Sequence, residues 1–158
     1  MSELLVRSGR RYRRADKDEI LSAALQYAIA DAPRERLASP LDAVRIAQPY
    51  LAAREAEVFC CAWITTRCTF IAFDELFHGT IDRSMVFPRE IIKKALERNA
   101  AGSILLHNHP SGECSPSETD VQITQKIKAA FELLDLRLLD HIVIAGNSSF
   151  SFAENGLL

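Results

Sequence analysis

Two histidines and one aspartate stand at a spacing that suits a metal site. His107 and His109 follow the apolar run 103–106, which is typical of a buried strand. Because side chains alternate along a strand, these two imidazoles should lie side by side. Asp120 comes after a loop with two prolines and a glycine, which allows the chain to turn back toward them. Two imidazoles and a carboxylate leave a fourth tetrahedral position open, as in hydrolytic zinc sites.

The same residues also have a purely structural explanation. Ser117 and Asp120 form an S-x-x-D pattern, which caps a helix without any metal. A histidine at the end of a strand is commonly a surface residue or a hydrogen-bonded one. A set of two histidines and one aspartate would also accept iron or manganese. The spacing alone therefore leaves the metal site, the metal and the helix cap as open alternatives.

The elements around these residues indicate a mixed β-sheet flanked by helices, an α/β or α+β fold. Asp16 with Glu19 should cap a first helix, and Ser39 with Pro40 should begin a second. Gly102 is the expected stop after the third helix. Strands are predicted at 58–64, at about 68–77, from 103, at 136–145 and at 148–152. Helices are predicted from 17 to Ala32-Pro33, from 40, at 88–99 and from Ser117, and Pro49 should limit the length of the second helix.

Composition favours one globular domain and excludes several other classes. The chain has 158 residues, of which 48% are hydrophobic and 25% are charged, enough for a sizeable core. The net charge of −2 identifies no nucleic-acid or membrane partner, and the longest stretch without charge, 99–112, is too short to cross a bilayer. The first residues lack the apolar segment of a signal peptide, so we expect a cytoplasmic protein. The cysteines form no C-x-x-C pair, and no disulfide framework is expected.

A longer motif around the two histidines is specific. The string His107-Asn108-His109-Pro110-Ser111-Gly112, followed by Pro116-Ser117-Glu118-Thr119-Asp120, resembles the RadC family of the JAMM (MPN, JAB) metallopeptidase superfamily. The superfamily motif, His-x-His, seven residues, Ser, two residues, Asp, is matched without a gap. The similarity also includes Phe77-His78-Gly79-Thr80-Ile81, Pro88-Arg89-Glu90, Asp140-His141 and Ser151-Phe152-Ala153-Glu154. It covers about 55–158, the predicted JAB/MPN domain, whereas 1–54 form a basic arm and a helical extension.

The resemblance implies a fold, a metal and an activity. The fold would have the cytidine-deaminase-like JAB/MPN architecture. Longer RadC proteins begin with a helix-hairpin-helix region that is not found in 1–54, so the chain resembles a short form. His107, His109 and Asp120 would bind Zn2+. The chain would be a zinc metallopeptidase or isopeptidase of the JAMM type that acts on a peptide or protein through a metal-activated water.

The resemblance also implies catalytic residues. Ser117 would help to hold the metal-bound water and the developing oxyanion. The general base would be a glutamate ahead of the first strand of the domain, which favours Glu57, and Glu75 is the second candidate. For Glu57 the structural alternative is an exposed charge at the entry to a strand, like the neighbouring Glu55.

His141, Cys114 and His78 lie outside the proposed set of metal ligands. His141 should be a core histidine bonded to Asp140, or else a residue that orients a metal ligand. Cys114 lies in the motif loop and should be an ordinary exposed thiol, although a thiolate there could compete for the open metal position. His78 is expected in a loop.

The amino-terminal segment suggests an alternative function. Residues 1–18 contain six Lys or Arg side chains against three Asp or Glu, and such a basic arm can contact phosphate backbones. RadC proteins are traditionally described as DNA-repair proteins. The alternative is therefore a non-catalytic, DNA-repair-associated module that contacts DNA through this arm. The two helices before residue 54 are expected to be exposed, and they could pair with a second copy in a homodimer.

Overall fold

A computed structural model describes residues 4–8, 10–31, 36–37, 39–79 and 86–158. Within these ranges the chain forms seven strands and four helices. In chain order they are β1 (Leu5–Ser8), β2 (Arg11–Arg14), α1 (Lys17–Asp31), α2 (Pro40–Leu51), β3 (Val58–Ile64), β4 (Phe70–His78), α3 (Pro88–Glu97), β5 (Gly102–Asn108), α4 (Glu118–Glu132), β6 (Arg137–Ala145) and β7 (Ser148–Ser151).

Five of the strands form one mixed sheet in the order β4-β3-β5-β6-β7. β5 and β6 run parallel, and the other neighbours are antiparallel. A parallel pair needs a long crossover connection, and the segment containing α4 provides it. The predicted mixed sheet flanked by helices is therefore confirmed, and it agrees with the JAB/MPN architecture.

The sheet separates the buried core into two layers. Successive side chains of β3 point to opposite layers. Cys60, Ala62 and Ile64 pack with residues of α1 and α2. Phe59 and Trp63 pack with residues of α3 and α4. The second layer is the one that adjoins the predicted metal ligands, because the ring of Phe59 stacks on that of His107 at a centroid distance of 6.1 Å.

Several predicted boundaries are confirmed by local hydrogen bonds. β3 spans the predicted residues 58–64. The N–H of Glu19 donates to Asp16 Oδ1 at 2.9 Å and the N–H of Asp16 donates to Glu19 Oε2 at 3.0 Å, as in a capping box. α2 begins at Pro40 after Ser39. The predicted end of α1 at Ala32-Pro33 lies outside the described residues.

Two other boundaries differ from the prediction. Pro49 lies inside α2, which continues to Leu51. Gly102 does not terminate α3 but begins β5; the left-handed residue after α3 is Asn99, with φ 49°. A Cβ atom on Gly102 would lie 2.4 Å from the carbonyl oxygen of Arg137, so the glycine is needed for the close approach of β5 to β6.

The amino-terminal region is more structured than its sequence suggests. β1 and β2 pair as an antiparallel hairpin, which the sequence analysis did not predict. α2 is not an exposed helix, since it buries six residues, Ala43, Val44, Ile46, Ala47, Tyr50 and Leu51. α1 keeps Tyr27 77% exposed. The division at residue 54 and the homodimer stay predictions. None of the described helices has the length and apolar character to span a bilayer.

Candidate metal centre

β5 and α4 bring the three predicted ligands together. His107 is the penultimate residue of β5, and His109 follows that strand directly. Their Nε2 atoms lie 3.0 Å apart. Asp120 Oδ1 lies 3.3 Å from His107 Nε2, and Asp120 Oδ2 lies 3.5 Å from His109 Nε2. Among the described residues these three form the group whose ligand atoms all lie within 4.8 Å of one another.

The cap of α4 holds Asp120 in this position. The N–H and the hydroxyl of Ser117 both donate to Asp120 Oδ2, at 2.8 and 2.7 Å. In return the N–H of Asp120 donates to Ser117 Oγ at 3.1 Å. Asp120 Oδ1 is buried and has no hydrogen-bond partner. The helix cap and the metal site are therefore compatible, because the cap uses one carboxylate oxygen and leaves the other available.

The carboxylate is charged where it faces the imidazoles. Burial acts to raise the pKa of Asp120, but contacts with His107, His109 and Ser117 outweigh burial and hold that pKa well below its usual value. The pKa of His109 is raised, mainly by Asp120, against desolvation, with smaller contributions from the Glu113 carbonyl and the Glu57 charge. The site thus holds an ionised carboxylate beside two ring nitrogens.

The separations within the site fit a tetrahedral cation. With metal–ligand distances near 2.1 Å, two ligands of a tetrahedral ion lie roughly 3.4 Å apart. The three measured separations, 3.0, 3.3 and 3.5 Å, are close to that value. The side chain of His107 is fully buried and that of His109 is 13% exposed, so His109 marks the side from which solvent reaches the site. The donor set and the unpartnered Oδ1 atom fit Zn2+.

Glu57 lies at the same end of the sheet. Phe59 pairs with His107 in the β3–β5 ladder, and Glu57 directly precedes β3 just as His109 directly follows β5. Its carbonyl oxygen accepts a hydrogen bond from the N–H of Gly79 at 2.9 Å, and its side chain is partly exposed. The contribution of its charge to the pKa of His109 agrees with this placement.

Glu75, the second candidate for the base, lies elsewhere. It accepts a hydrogen bond from the hydroxyl of Tyr50, and its Oε2 atom lies 3.4 Å from Arg54 Nη2. Tyr50 belongs to the α1/α2 layer, so Glu75 faces away from His107. His78 is the last residue of β4 rather than a loop residue, and its Nε2 atom lies 2.6 Å from Glu75 Oε1.

His141 and Cys114 lie close to the predicted ligands in space or in sequence. The backbone N–H of His141, rather than its ring, donates to Asp140 at 2.7 Å. The ring of His141 is fully buried, which confirms the expected core position. The ring contacts His107 Nδ1 at 2.8 Å instead of Asp140, so the alternative, a residue that orients a predicted ligand, fits this contact. Cys114 is a partly exposed free thiol outside the group of three ligands.

Sequence reasoning missed the role of Asn108, whose side chain points away from the two histidines that flank it. Its Oδ1 atom accepts from the N–H of Val58 at 2.7 Å, and its Nδ2 atom donates to the carbonyl of Ala56 at 3.0 Å. The amide therefore binds the backbone on both sides of Glu57. The only available signal was the position of Asn108 on the opposite face of the strand, which does not identify its partners.

Comparison with known proteins identifies relatives of the chain. The profile of the RadC-like JAB domain matches residues 37–157. A UPF0758 protein of Methylibium petroleiphilum is 50% identical over 111 residues, which cover 70% of this chain and 50% of the relative. A UPF0758 protein of Nitrosococcus oceani is 51% identical over 115 residues, which cover 70% of this chain and 51% of the relative. The chain spans about half the length of these curated relatives, whose names state no activity.

Proposed function

The chain belongs to the RadC-like JAB domain family, and from that premise we propose that it is a zinc-dependent hydrolase of the JAMM type that cleaves peptide or isopeptide bonds. One observation supports the proposal most directly: two imidazole nitrogens and a buried carboxylate converge within 4.8 Å. When bound there, a divalent cation would polarise the scissile carbonyl and lower the pKa of a coordinated water to about 7.

The side chains around the site have separate roles in this proposal. His107, His109 and Asp120 would hold the cation. Glu57, at the same end of the sheet, would take a proton from the attacking water and deliver it to the leaving amine. Ser117 would donate its hydroxyl to the developing oxyanion. For that step the hydroxyl would have to leave Asp120 Oδ2, to which it donates in this structure.

Metal content tests the first part of the proposal. Protein purified without chelator should contain about one zinc per chain, and a His107→Ala, His109→Ala double variant should contain almost none. A His78→Ala variant is a matched control, because that histidine lies with Glu75 on the other side of the sheet, and its zinc content should equal that of the wild type. Equal zinc in the double variant and the wild type would show that the metal binds elsewhere.

Two neighbouring substitutions test the assignment of Glu57 as the general base. Glu57→Gln should retain zinc and lose at least about a hundredfold in hydrolysis, the usual scale for a general base. Glu55→Gln is the control, since the side chain of Glu55 is 90% exposed and meets Lys17 at 3.1 Å. The probes are a fluorogenic peptide library of mixed sequence and a lysine-branched isopeptide. Unchanged hydrolysis by the Glu57 variant would assign the proton transfer to another group.

One observation favours a second function, DNA contact through the amino-terminal hairpin. The hairpin exposes Arg7, Arg10, Arg11 and Arg14. If these arginines bind phosphates, affinity for a duplex oligonucleotide should fall with salt, and each lost contact should reduce the slope by about 0.9. An Arg10→Ser, Arg11→Ser variant should show this reduction and an Arg45→Ser variant should not. Affinity that does not depend on salt would exclude this function.

A further inference from the structure

We propose that Thr124 and His141 are positioning residues that fix the ring proton of His107 on Nδ1, so that its Nε2 lone pair faces the metal position. We call the hydrogen-bonded series Thr124–His141–His107 the relay, and its role rests on the metal site of the proposed function. The hydrogen-bond chain that forms it is a property of the protein alone, and it can be observed in the absence of metal.

Thr124 determines which atom donates in each hydrogen bond of the relay. Its Oγ1 atom lies 2.5 Å from the carbonyl oxygen of Asp120, one helical turn earlier in α4, and 2.6 Å from His141 Nδ1. A carbonyl oxygen has no proton to donate, so the hydroxyl proton of Thr124 must lie between Oγ1 and Asp120. Toward His141 the hydroxyl oxygen is consequently an acceptor, and His141 Nδ1 must be the donor.

The next link follows from the burial of His141. Its ring is fully buried and lies between Phe59 and Phe152, with centroid distances of 5.5 and 4.7 Å. Desolvation in such a position disfavours a charged imidazolium. With its single proton on Nδ1, His141 offers a lone pair at Nε2, which lies 2.8 Å from His107 Nδ1. His107 must therefore donate from Nδ1, and in a neutral ring this leaves the lone pair on Nε2.

The second histidine ligand reaches the same state by a different route. His109 Nδ1 lies 2.8 Å from the carbonyl oxygen of Glu113, an acceptor that again requires a proton on Nδ1. The two Nε2 atoms, 3.0 Å apart, would both present lone pairs if neither ring bore a further proton. Lone pairs at this distance repel unless a proton or a cation lies between them, so the relay prepares a site for a cation.

The groups that accept hydrogen bonds from His107 and His109 also determine the net charge of the candidate metal centre. Histidine ligands of zinc often donate to a carboxylate, which raises their basicity. Here His107 donates to a neutral imidazole and His109 donates to a backbone carbonyl. Asp120 is then the one charged ligand among the three. A divalent cation would keep a net charge of +1 in this ligand set.

The tautomers can be read directly by long-range 1H–15N NMR of the full chain, freed of metal and held at pH 8. We expect both His107 and His141 to show the Nδ1–H form. In a Thr124→Val variant, His141 loses the acceptor for its Nδ1 proton, and the Nε2–H form of His107 should increase. Thr124→Ser keeps the hydroxyl and should retain the wild-type pattern. A wild-type His107 with its proton on Nε2 would overturn the relay.

Zinc affinity provides the second readout, measured by competition with a chromophoric chelator. Thr124→Val should weaken binding by about 10–100-fold, as for other partners of metal ligands, and Thr124→Ser should restore most of it. Equal affinities of the valine and serine variants would contradict a positioning role. If the wild type binds no zinc, the proposed function fails, but the NMR spectra still decide whether the relay exists. If the valine variant does not fold, the tautomers of the wild-type protein still decide whether the relay exists.

Discussion

Two clusters of ionisable side chains lie near the same end of the sheet but on opposite faces. In one, Glu75 meets Arg54 and Tyr50, and Arg54 also meets Asp18 at 2.7 Å. In the other, Asp120 faces the Nε2 atoms of two histidines. The first cluster contains its own cation, although Arg54 Nε has no partner. The second has an anion beside two imidazoles, and under the proposed function the cation that balances Asp120 is a bound metal.

In these clusters the partner of the carboxylate, rather than its burial, separates an acid in an internal ion pair from a candidate metal ligand. Glu75 and Asp120 have side chains that are 17% and 1% exposed, and both were candidate site residues, Glu75 as the second choice for the general base and Asp120 as a metal ligand. Their partners are different. Substitutions in the two clusters should therefore affect different properties, metal binding for Asp120 and folding stability for Arg54.

The largest effect is expected for the metal ligand. Asp120→Asn keeps an oxygen for the Ser117 cap but removes the charge, so zinc affinity should fall by more than about 100-fold, beyond the range for outer partners. Isothermal titration calorimetry measures this. Glu118→Gln is the control, because it removes an exposed charge from the same helical turn. Comparable losses in the two variants would mean that the charge of the helix terminus, and not ligation, attracts the metal.

Zinc itself should stabilise the protein through this cluster. At a free concentration of 100 times Kd, binding to the folded state alone adds about 2.7 kcal/mol, which corresponds to an increase of roughly 5–10 °C in Tm for a chain of this size. Differential scanning calorimetry with and without chelator measures the shift. The Asp120→Asn variant should show no shift, and a shift of wild-type size in that variant would contradict the site.

The other cluster should affect folding and leave metal binding unchanged. Arg54→Met leaves Glu75 without its cation and should lower the free energy of unfolding by about 2 kcal/mol. Arg45→Met, on the exposed side of α2, is the control, since its side chain is 70% exposed. Urea titration gives the free energies, and zinc affinity should match the wild type. Weaker zinc binding in the Arg54 variant would show that the two clusters are coupled across the sheet.

A smaller, pH-dependent effect is expected at Asp74, another carboxylate with an internal cation. Desolvation acts to raise the pKa of Asp74, but hydrogen bonds from Arg98 and Trp63 lower it. A lowered pKa in the folded state stabilises the protein above the unfolded pKa, near 3.9. This stabilisation is lost as the pH falls through the folded pKa.

Asp74→Asn should therefore be less stable than the wild type by about 1 kcal/mol at pH 7, and the difference should shrink below pH 4. Urea titration at several pH values measures it. Asp135→Asn, on an exposed turn, is the control and should follow the pH dependence of the wild type. A constant difference between pH 7 and pH 3 would mean that Asp74 contributes through packing rather than charge.

Local signals in the sequence predicted much of the fold. The apolar run 58–64 and the caps at Asp16, Ser39 and Ser117 depend on neighbouring residues only, so their positions could be derived directly. The exposed hairpin of β1 and β2 was missed because its four-residue strands lack an apolar alternation. Gly102 was misinterpreted because its role depends on Arg137, a residue of another strand.

The candidate site shows the same limit. The grouping of His107, His109 and Asp120 was predicted from spacing and from the RadC resemblance, and the structure places them together. The contact of Thr124 with His141 could not be predicted, because it depends on the register of two parallel strands and on the rotation of α4. Such long-range pairings leave no local pattern in the sequence.

The parallel pairing of β5 with β6 has a consequence for how the candidate site is distributed along the chain. His107, His109, Asp120 and the side chains of the relay lie within one continuous segment, residues 107–141, which contains the α4 crossover between the two strands. Glu57 precedes this segment, next to β3, whose antiparallel pairing with β5 is a separate contact. The placement of the three candidate ligands and the placement of Glu57 are thus separable, and if the proposed site binds a cation, a variant with a misplaced Glu57 should still bind it.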